Sequence, residues 1–406
     1  MNGGLLTLIG LAAGGLAGLA LAAGPAAASE AAAAMCRPIG RLWLTALQMT
    51  VLPLVVTTLI TGVAEVADVA QTGRLARRAL AWIVGLSTTA AVLAVALARV
   101  AFAALPRGPD LAGIFAHAPV EAAARPTGMG DWLARLPDNL VAAAANGAIA
   151  PVVLFTLAFA LALAQLDAAR RTAVTDVTRS VAAAMTVLIG WILAAAPVGV
   201  FALALPLTAA SGGRALGGLG SYVGVLIGVY LVITVAVYLV AIGPGRRLRR
   251  FAAAALPAQC VAAGTQSSLA SLPAMLESAA VCGCPPGTAG VTLPLAVSLF
   301  RITSPAQYLV VAEFIAWTQG IQLGWHTLAV LVPLAVVISL GSVGLPGQAS
   351  FMGTHLPIVQ AAGLPVEPLG LLLAVDVIPD VAATVGNVTA DLALTARVAA
   401  GEPEQA

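Results

Sequence analysis

The chain has 406 residues, 19 basic and 17 acidic, so charged residues make up 9% of it, where a soluble domain carries roughly 25%. With 60% hydrophobic residues and a mean hydropathy of +1.01, there is too little polar side chain to cover a globule in water. Soluble fold classes are excluded, and a polytopic membrane protein in contact with the lipid bilayer remains. A net charge of +2 gives no electrostatic footing for a nucleic-acid partner. Cys36, Cys260, Cys282 and Cys284 form no disulfide or zinc framework and read as small apolar fillers.

Residues 1–29 end in Ala-Ala-Ala-Ser29, which resembles a signal cleavage region. No positive charge precedes Arg37, however, and the apolar run is longer than a signal core. A first transmembrane helix is expected there. Chargeless stretches at 42–64, 79–98, 139–166, 180–213, 215–245, 251–276, 278–300 and 314–366 mark the remaining spans. Only helices satisfy their own backbone in lipid, so the expected fold is all-α. A cytoplasmic N-terminus places Arg74, Arg77, Arg78, Arg170, Arg171, Arg179, Arg246, Arg247, Arg249 and Arg250 inside. Arg37, Arg41, Arg99, Arg107, Arg125, Arg135 and Arg214 fall outside, an imbalance in the direction of the positive-inside rule.

Beyond Arg250 the apolar stretches are broken in their middles. Segment 251–285 is interrupted by Gly264-Thr-Gln-Ser-Ser-Leu-Ala-Ser-Leu-Pro273, leaving arms too short for the ~20 residues of a span. It reads as a re-entrant hairpin. Segment 327–363 repeats the design around Gly341-Ser-Val-Gly-Leu-Pro-Gly-Gln-Ala-Ser350, whose glycines suit a movable outer lid. Between them, 287–322 contains Phe300-Arg-Ile-Thr-Ser-Pro305, where a proline without an amide hydrogen and a polar run favour unwinding. The plainer reading of any one break is a kink. Three within the last 160 residues point to a secondary transporter's binding site, with backbone groups lining a cavity. The final helix, 366–400, carries Asp376, Asp380, Thr384, Asn387 and Asp391. Spacings of four, four, three and four residues put all five on one face. Intramembrane carboxylates face cavities and mark ion or substrate pathways; the structural alternative is that neighbouring helices cap them.

These segments resemble the dicarboxylate/amino acid:cation symporter family, the glutamate transporter homologues. The resemblance lies in Gln48-Met-Thr-Val-Leu-Pro-Leu-Val55, Gln266-Ser-Ser-Leu-Ala-Ser-Leu-Pro273, Gly344-Leu-Pro-Gly347 and Asn387-Val-Thr-Ala-Asp391. Weaker matches are Asn146-Gly147 and Ala196-Pro-Val-Gly-Val-Phe-Ala202. The resemblance implies eight transmembrane helices plus two re-entrant hairpins, assembled as a homotrimer in a bacterial inner membrane. Residues 1–250 would hold the first six spans: 1, 2, 4 and 5 as a fixed scaffold, 3 and 6 in a mobile transport domain. Residues 251–406 would form the transport core of hairpin 1, broken helix 7, hairpin 2 and helix 8.

By the same resemblance Asp380 matches the Asp that binds a substrate ammonium, and Asn387 the residue that binds its carboxylate. Ser267, Ser268, Ser304, Gly347 and Thr384 complete a substrate site, and an α-amino acid is the natural ligand. Acidic-substrate members carry an Arg where this sequence has Ala383, so small neutral amino acids are expected. The family's Asn-Met-Asp-Gly-Thr of helix 7 aligns with Phe300-Arg-Ile-Thr-Ser304, so a sodium-binding Asp becomes Ile302 and only a partial sodium site survives at Asn387 and Asp391. Tyr308 stands where glutamate transporters have a proton-carrying Glu, and Glu313 is either a substitute for it or a helix-end acid. Arg301 is expected to act as a tethered cation on Asp376, Asp380 and Asp391 in place of a lost sodium ion.

The sequence thus reads as an elevator-type secondary transporter of amino acids with altered or absent sodium coupling, through sodium, protons or exchange, and without a cofactor. The alternatives are a dicarboxylate or acidic amino acid:cation symporter, or a transport-inactive sensor of the same fold. An intramembrane hydrolase built from Ser267 or Ser268 with His326 or His355 lacks a nucleophile motif.

Overall fold

The computed structural model describes residues 3–71, 73–105, 139–146, 149–241, 248–341 and 347–400, and no strand occurs among them. The chain is all-α. The first helices are α1 (Gly3–Ala22), α2 (Ala26–Gln71), α3 (Arg74–Ala104), α4 (Leu140–Ala145), α5 (Ile149–Leu163), α6 (Ala168–Ala194), α7 (Ala196–Ser211) and α8 (Arg214–Ala241). Then come α9 (Leu248–Thr265), α10 (Ser268–Val281), α11 (Pro286–Leu299), α12 (Thr303–Thr318), α13 (Trp325–Gly341), α14 (Gly347–Ala361), α15 (Pro368–Val375) and α16 (Val377–Ala399). Among the described residues seven stretches are long and apolar enough to cross a membrane. The fourth expected span falls short because it comes as two pieces, α4 and α5, with residues 147–148, and so Gly147, outside the described residues.

Several boundaries differ from expectation for physical reasons. The second span, expected at 42–64, lies within a 46-residue helix that passes through Pro38 and Pro53. At ~1.5 Å per residue it is about 69 Å long, more than twice a hydrocarbon core of about 30 Å. Beyond Pro53, Thr57 donates to the Pro53 carbonyl at 2.8 Å and Thr58 to the Leu54 carbonyl at 2.7 Å, the bond that Ser and Thr side chains make back to the preceding turn of a helix. The fifth span bends at Ala195, with Pro197 in the first turn of α7. Hairpin 1 breaks only at Gln266 and Ser267, so its arms are 18 and 14 residues long and Pro273 sits inside α10. The tip of hairpin 2 at 342–346, with most of the expected lid, lies outside the described residues. No disulfide occurs among the described residues.

Two sets of neighbours form the body. In one, α1 lies along α7, and α2 packs on α5, α6 and α7. In the other, α12 packs on α3, and α16 sits among α8, α9, α10 and α11. The sets meet where α13 and α14 rest on α2, and where α15 touches α1 and α7. Gly10, Gly14 and Gly18 line the α1 face against Pro197, Phe201 and Leu205 of α7; a β-carbon at Gly14 would stand 2.7 Å from the Phe201 carbonyl oxygen. This small-xxx-small stripe is how helices approach closely in lipid, where apolar area alone gives no drive. Across it, Trp43 fills the space beside Gly199 and donates its indole N–H to the Ile192 carbonyl at 3.1 Å.

Gly14→Leu should therefore lower the melting temperature of the solubilised protein, by an overpacking penalty of about 1–3 kcal/mol or more. Gly85→Leu, at a position with open space around it, should leave it unchanged.

Candidate functional site

The site grows from the break between α11 and α12. Phe300 is extended, and its N–H still closes the last turn of α11 on the Ala296 carbonyl at 2.7 Å. The unwound residues are Phe300, Arg301 and Ile302; Thr303, Ser304 and Pro305 already belong to the first turn of α12, where a proline's missing N–H costs nothing. Thr303 donates both its amide N–H, at 3.1 Å, and its hydroxyl, at 3.0 Å, to Oδ1 of Asn387. Since a main-chain N–H can only donate, Oδ1 faces the break and the Asn387 NH2 group faces away from it. Gly386 lets α16 come this close: a β-carbon there would lie 2.9 Å from Thr234 Oγ1 and 3.0 Å from Thr303 Cγ2.

The polar stripe on the last helix is present, but the helix is interrupted. Asp376 occupies a turn between α15 and α16 and accepts a bond from Gln307 Nε2 at 2.5 Å. Asp380 is half-buried, and the Thr384 hydroxyl donates to its carbonyl at 2.8 Å. Asp391 is fully buried, and neither of its carboxylate oxygens has a hydrogen-bond partner. Buried carboxylates without partners are expensive, so this one fits a cation or a proton. A multidentate sodium site is a poorer fit. Asn387 Oδ1 is already committed to Thr303, and Ile302 is apolar and buried.

Arg301 corrects an expectation. It is half-buried, and among the described residues it makes neither an ion pair within 4.0 Å nor a hydrogen bond. Its charge is nevertheless close enough to act on Asp380 and Asp391. Direct tethering to the carboxylates is therefore not formed, and Asp376 is engaged by Gln307 instead.

Hairpin 1 brings a second helix start to the same region. Ser267 caps α10 by accepting from the Ala270 N–H at 3.2 Å, and Ser268 opens the helix. Gln266 turns the chain with φ at 51°, and its Nε2 lies 3.5 Å from the Val377 carbonyl at the start of α16. Gly347 opens α14, and Ser304 is half-buried in the first turn of α12. The two faces differ in exposure: Gly264, Thr265 and Gln266 are exposed, whereas 351–359 of α14 are buried.

Four features were not anticipated. Gln307 and Thr303 hold Asp376 and Asn387; a Gln in an apolar helix one turn beyond the break was the available signal. Gln259 donates to Tyr238 Oη and Thr389 Oγ1, each at 2.7 Å, tying α9 to α8 and α16. Glu313 is neither a free proton carrier nor a helix-end acid: Arg99 donates to it at 2.8 Å and also bonds the Leu323 carbonyl. Tyr308 packs edge-on against His355, ring centres 4.8 Å apart.

The profile of the "Sodium:dicarboxylate symporter family" matches residues 4–400. The chain belongs to that family. It is 30% identical over 364 residues to the "Proton/glutamate-aspartate symporter" of Escherichia coli (strain K12), covering 86% of this chain and 82% of the relative. It is 29% identical over 361 residues to the "Proton/sodium-glutamate symport protein" of Bacillus subtilis (strain 168), covering 87% and 83%. It is 27% identical over 350 residues to a "C4-dicarboxylate transport protein" of Rhizobium etli, covering 84% and 77%. As a sodium:dicarboxylate symporter family member it is an integral membrane transporter and not an enzyme.

Replacing Thr303 by Val removes its hydroxyl donor and keeps its main-chain N–H, so one of the two bonds to Asn387 is lost. Thr303→Val should lower thermal stability by about 1–3 kcal/mol, while Thr303→Ser, which keeps both donors, should stay near wild type in a melting assay.

Proposed function

We propose that the protein is a cation-coupled secondary carrier of α-amino acids. Asp380 takes the substrate ammonium, and the outward-facing Asn387 NH2 takes the α-carboxylate, assisted by main-chain amides near Ser267, Ser268 and Gly347. Ser304 and Thr384 line the space between. The observation that carries this reading is the pair of bonds from Thr303, which turns the Asn387 donors away from the break, on the helix face that also bears Asp380. An ammonium beside a carboxylate and a carboxylate beside an amide are the matching charge-assisted contacts.

In this reading α1, α2 and α4 to α7 are the scaffold, and α3 with α8 to α16 move together as an elevator. The separate packing of the two sets supports it. The exposed hairpin 1 tip would be the open side, cytoplasmic if the N-terminus is cytoplasmic. A homotrimer in a bacterial inner membrane belongs to the same reading, and the apolar groove between α2 and α5, lined by Leu52, Val56, Val152 and Phe155, suits a lipid or subunit contact. The coupling cation would sit at Asp391, and the loss of the other ligands favours coupling without sodium. Ala383, where acidic-substrate members of the family carry an Arg, supports small neutral amino acids as the preferred substrates.

Uptake of labelled amino acids into proteoliposomes, run with sodium, proton and exchange gradients in turn, tests the reading. We expect transport without sodium. A strict sodium requirement would overturn that coupling, and failure to take up any amino acid under all three conditions would leave the sensor alternative. Asp380→Asn should weaken amino acid binding by tenfold or more, the loss of a charge-assisted contact of roughly 1.5–3 kcal/mol; an unchanged Kd would make Asp380 structural.

A further inference from the structure

We propose that Asp376 holds a proton while the substrate site is empty and gives it up when the substrate ammonium settles on Asp380, so that proton and amino acid alternate in the core. The proposal rests on the amino acid reading above, from which it takes the place of the ammonium, and adds a proton site outside the substrate's own contacts.

The first ground is a pair of acids without a cation between them. Asp376 occupies the turn between α15 and α16, and the N–H of Asp380, one turn on, bonds its carbonyl at 3.2 Å. The charge of Asp380 bears on Asp376, whereas that of Arg301 bears on Asp380 and Asp391. Among the described residues no Arg or His forms an ion pair with Asp376. Two carboxylates one turn apart in a low-dielectric core repel each other, and a proton on one of them is the simplest relief.

The second ground is the set of groups around the Asp376 carboxyl, which suits it with or without a proton. Gln307 Nε2 donates to Oδ1 at 2.5 Å, and the other oxygen makes no hydrogen bond among the described residues. From α8 come Tyr222 and Tyr230, 0% and 1% exposed, and neither hydroxyl has a hydrogen-bond partner. The Asp376 charge reaches both, and Tyr222 lies beside Gln307. A phenol donates to a carboxylate and accepts from a carboxylic acid. Either hydroxyl, directly or through one ordered water, therefore serves Oδ2 in both states. The other ionisable groups nearby are Tyr308 of α12, which bears on Tyr230, and His355 of α14, which stands edge-on to Tyr308 and donates from Nδ1 to the Phe351 carbonyl at 2.7 Å. Helices α1 and α7, which also pack on α15, carry no ionisable side chain. Asp376 itself is half-buried, which leaves its proton a way out.

The third ground is the direction of the substrate dipole. An ammonium on Asp380 lies about 6 Å of helix rise from Asp376, and an α-carboxylate on Asn387 about 16 Å. The bound zwitterion thus turns its positive end to Asp376. That charge stabilises the ionised carboxylate, so the O–H bond of Asp376 breaks and one proton passes to bulk water, with no other bond changed. The effect is mutual: the proton opposes the substrate, and substrate affinity rises with pH.

Calorimetry of alanine, serine and aspartate binding to the purified full-length protein, repeated in phosphate and Tris buffers whose ionisation heats differ, counts the protons released. We expect wild type to release roughly one proton per amino acid bound, and its affinity to rise by up to about tenfold per pH unit across the range of release. Asp376→Asn should keep the low-pH affinity of the wild type at every pH and release no proton, while Asp376→Glu should release it again. Binding to wild type without proton release between about pH 5 and 9, or release that persists in Asp376→Asn, overturns the proposal and leaves the amino acid reading standing. If Asp376→Asn does not fold, the wild-type proton count and Asp376→Glu decide. Absence of binding by all three amino acids overturns both.

Discussion

The bonds from Thr303 to Asn387 are the interaction on which the rest of the core depends. A helix that starts within the bilayer exposes amide donors that neither lipid nor its own first turn can satisfy. One side-chain oxygen on α16 resolves this for α12, and in doing so sets three things together. It fixes where the broken helix resumes, brings α16 against the break through Gly386, and orients the Asn387 amide. Asp376 and Gln307 make the same connection one turn further along α12, so α12 and α16 are held at two levels. Structural satisfaction and the layout of the candidate site are here the same set of bonds.

The two packing sets differ in how they are joined. Within the first, Gly10, Gly14 and Gly18 let α1 sink onto the backbone of α7, and Trp43 locks the far side with a hydrogen bond. Within the second, Gln259, Arg397 and Arg99 tie helices together through polar side chains. At the boundary between the sets the contact is of another kind: Gly62 of α2 meets Gly341 of α13 backbone to backbone, and Leu54 meets Gly353 of α14. Such a seam has close approach without a side-chain hydrogen bond among those residues. In the proposed reading this seam is where the two bodies would slide past one another.

Much of the fold was legible because lipid imposes a simple grammar. Low charge required helices, and Pro, Gly and Ser clusters marked where spans break, so hairpin 1, the interrupted seventh helix and the polar face of the last helix were all visible in the sequence. What escaped was set by partners far along the chain. The break of helix 7 is shorter than its polar run because Asn387, 84 residues away, satisfies the start of α12 at Thr303. Glu313 looked like an isolated acid because its partner Arg99 lies 214 residues earlier. Hairpin 1 narrows to two residues because Gln266 accepts a positive φ, which no local rule assigns to glutamine. The helix through Pro38 persists because surrounding helices, rather than local propensity, decide in a membrane.

Three departures from the pattern that the family resemblance implies, at Ile302, Arg301 and Ala383, make better sense together than singly. Replacing an acid by Ile302 removes one negative charge from the core, and Ala383 removes a cation that the resemblance would place on α16. Either change alone would unbalance a low-dielectric site, where uncompensated charge is costly. Arg301 keeps one cation in the core, in the break before α12, and makes no ion pair within 4.0 Å among the described residues. Asp391 then stands as the remaining buried acid without a hydrogen-bond partner among the described residues, on the same helix as Asp380 but eleven residues further in. An unpaired cation and an unpaired buried acid in one low-dielectric core are each costly, and in the proposed reading a bound substrate and a coupling cation would offset them.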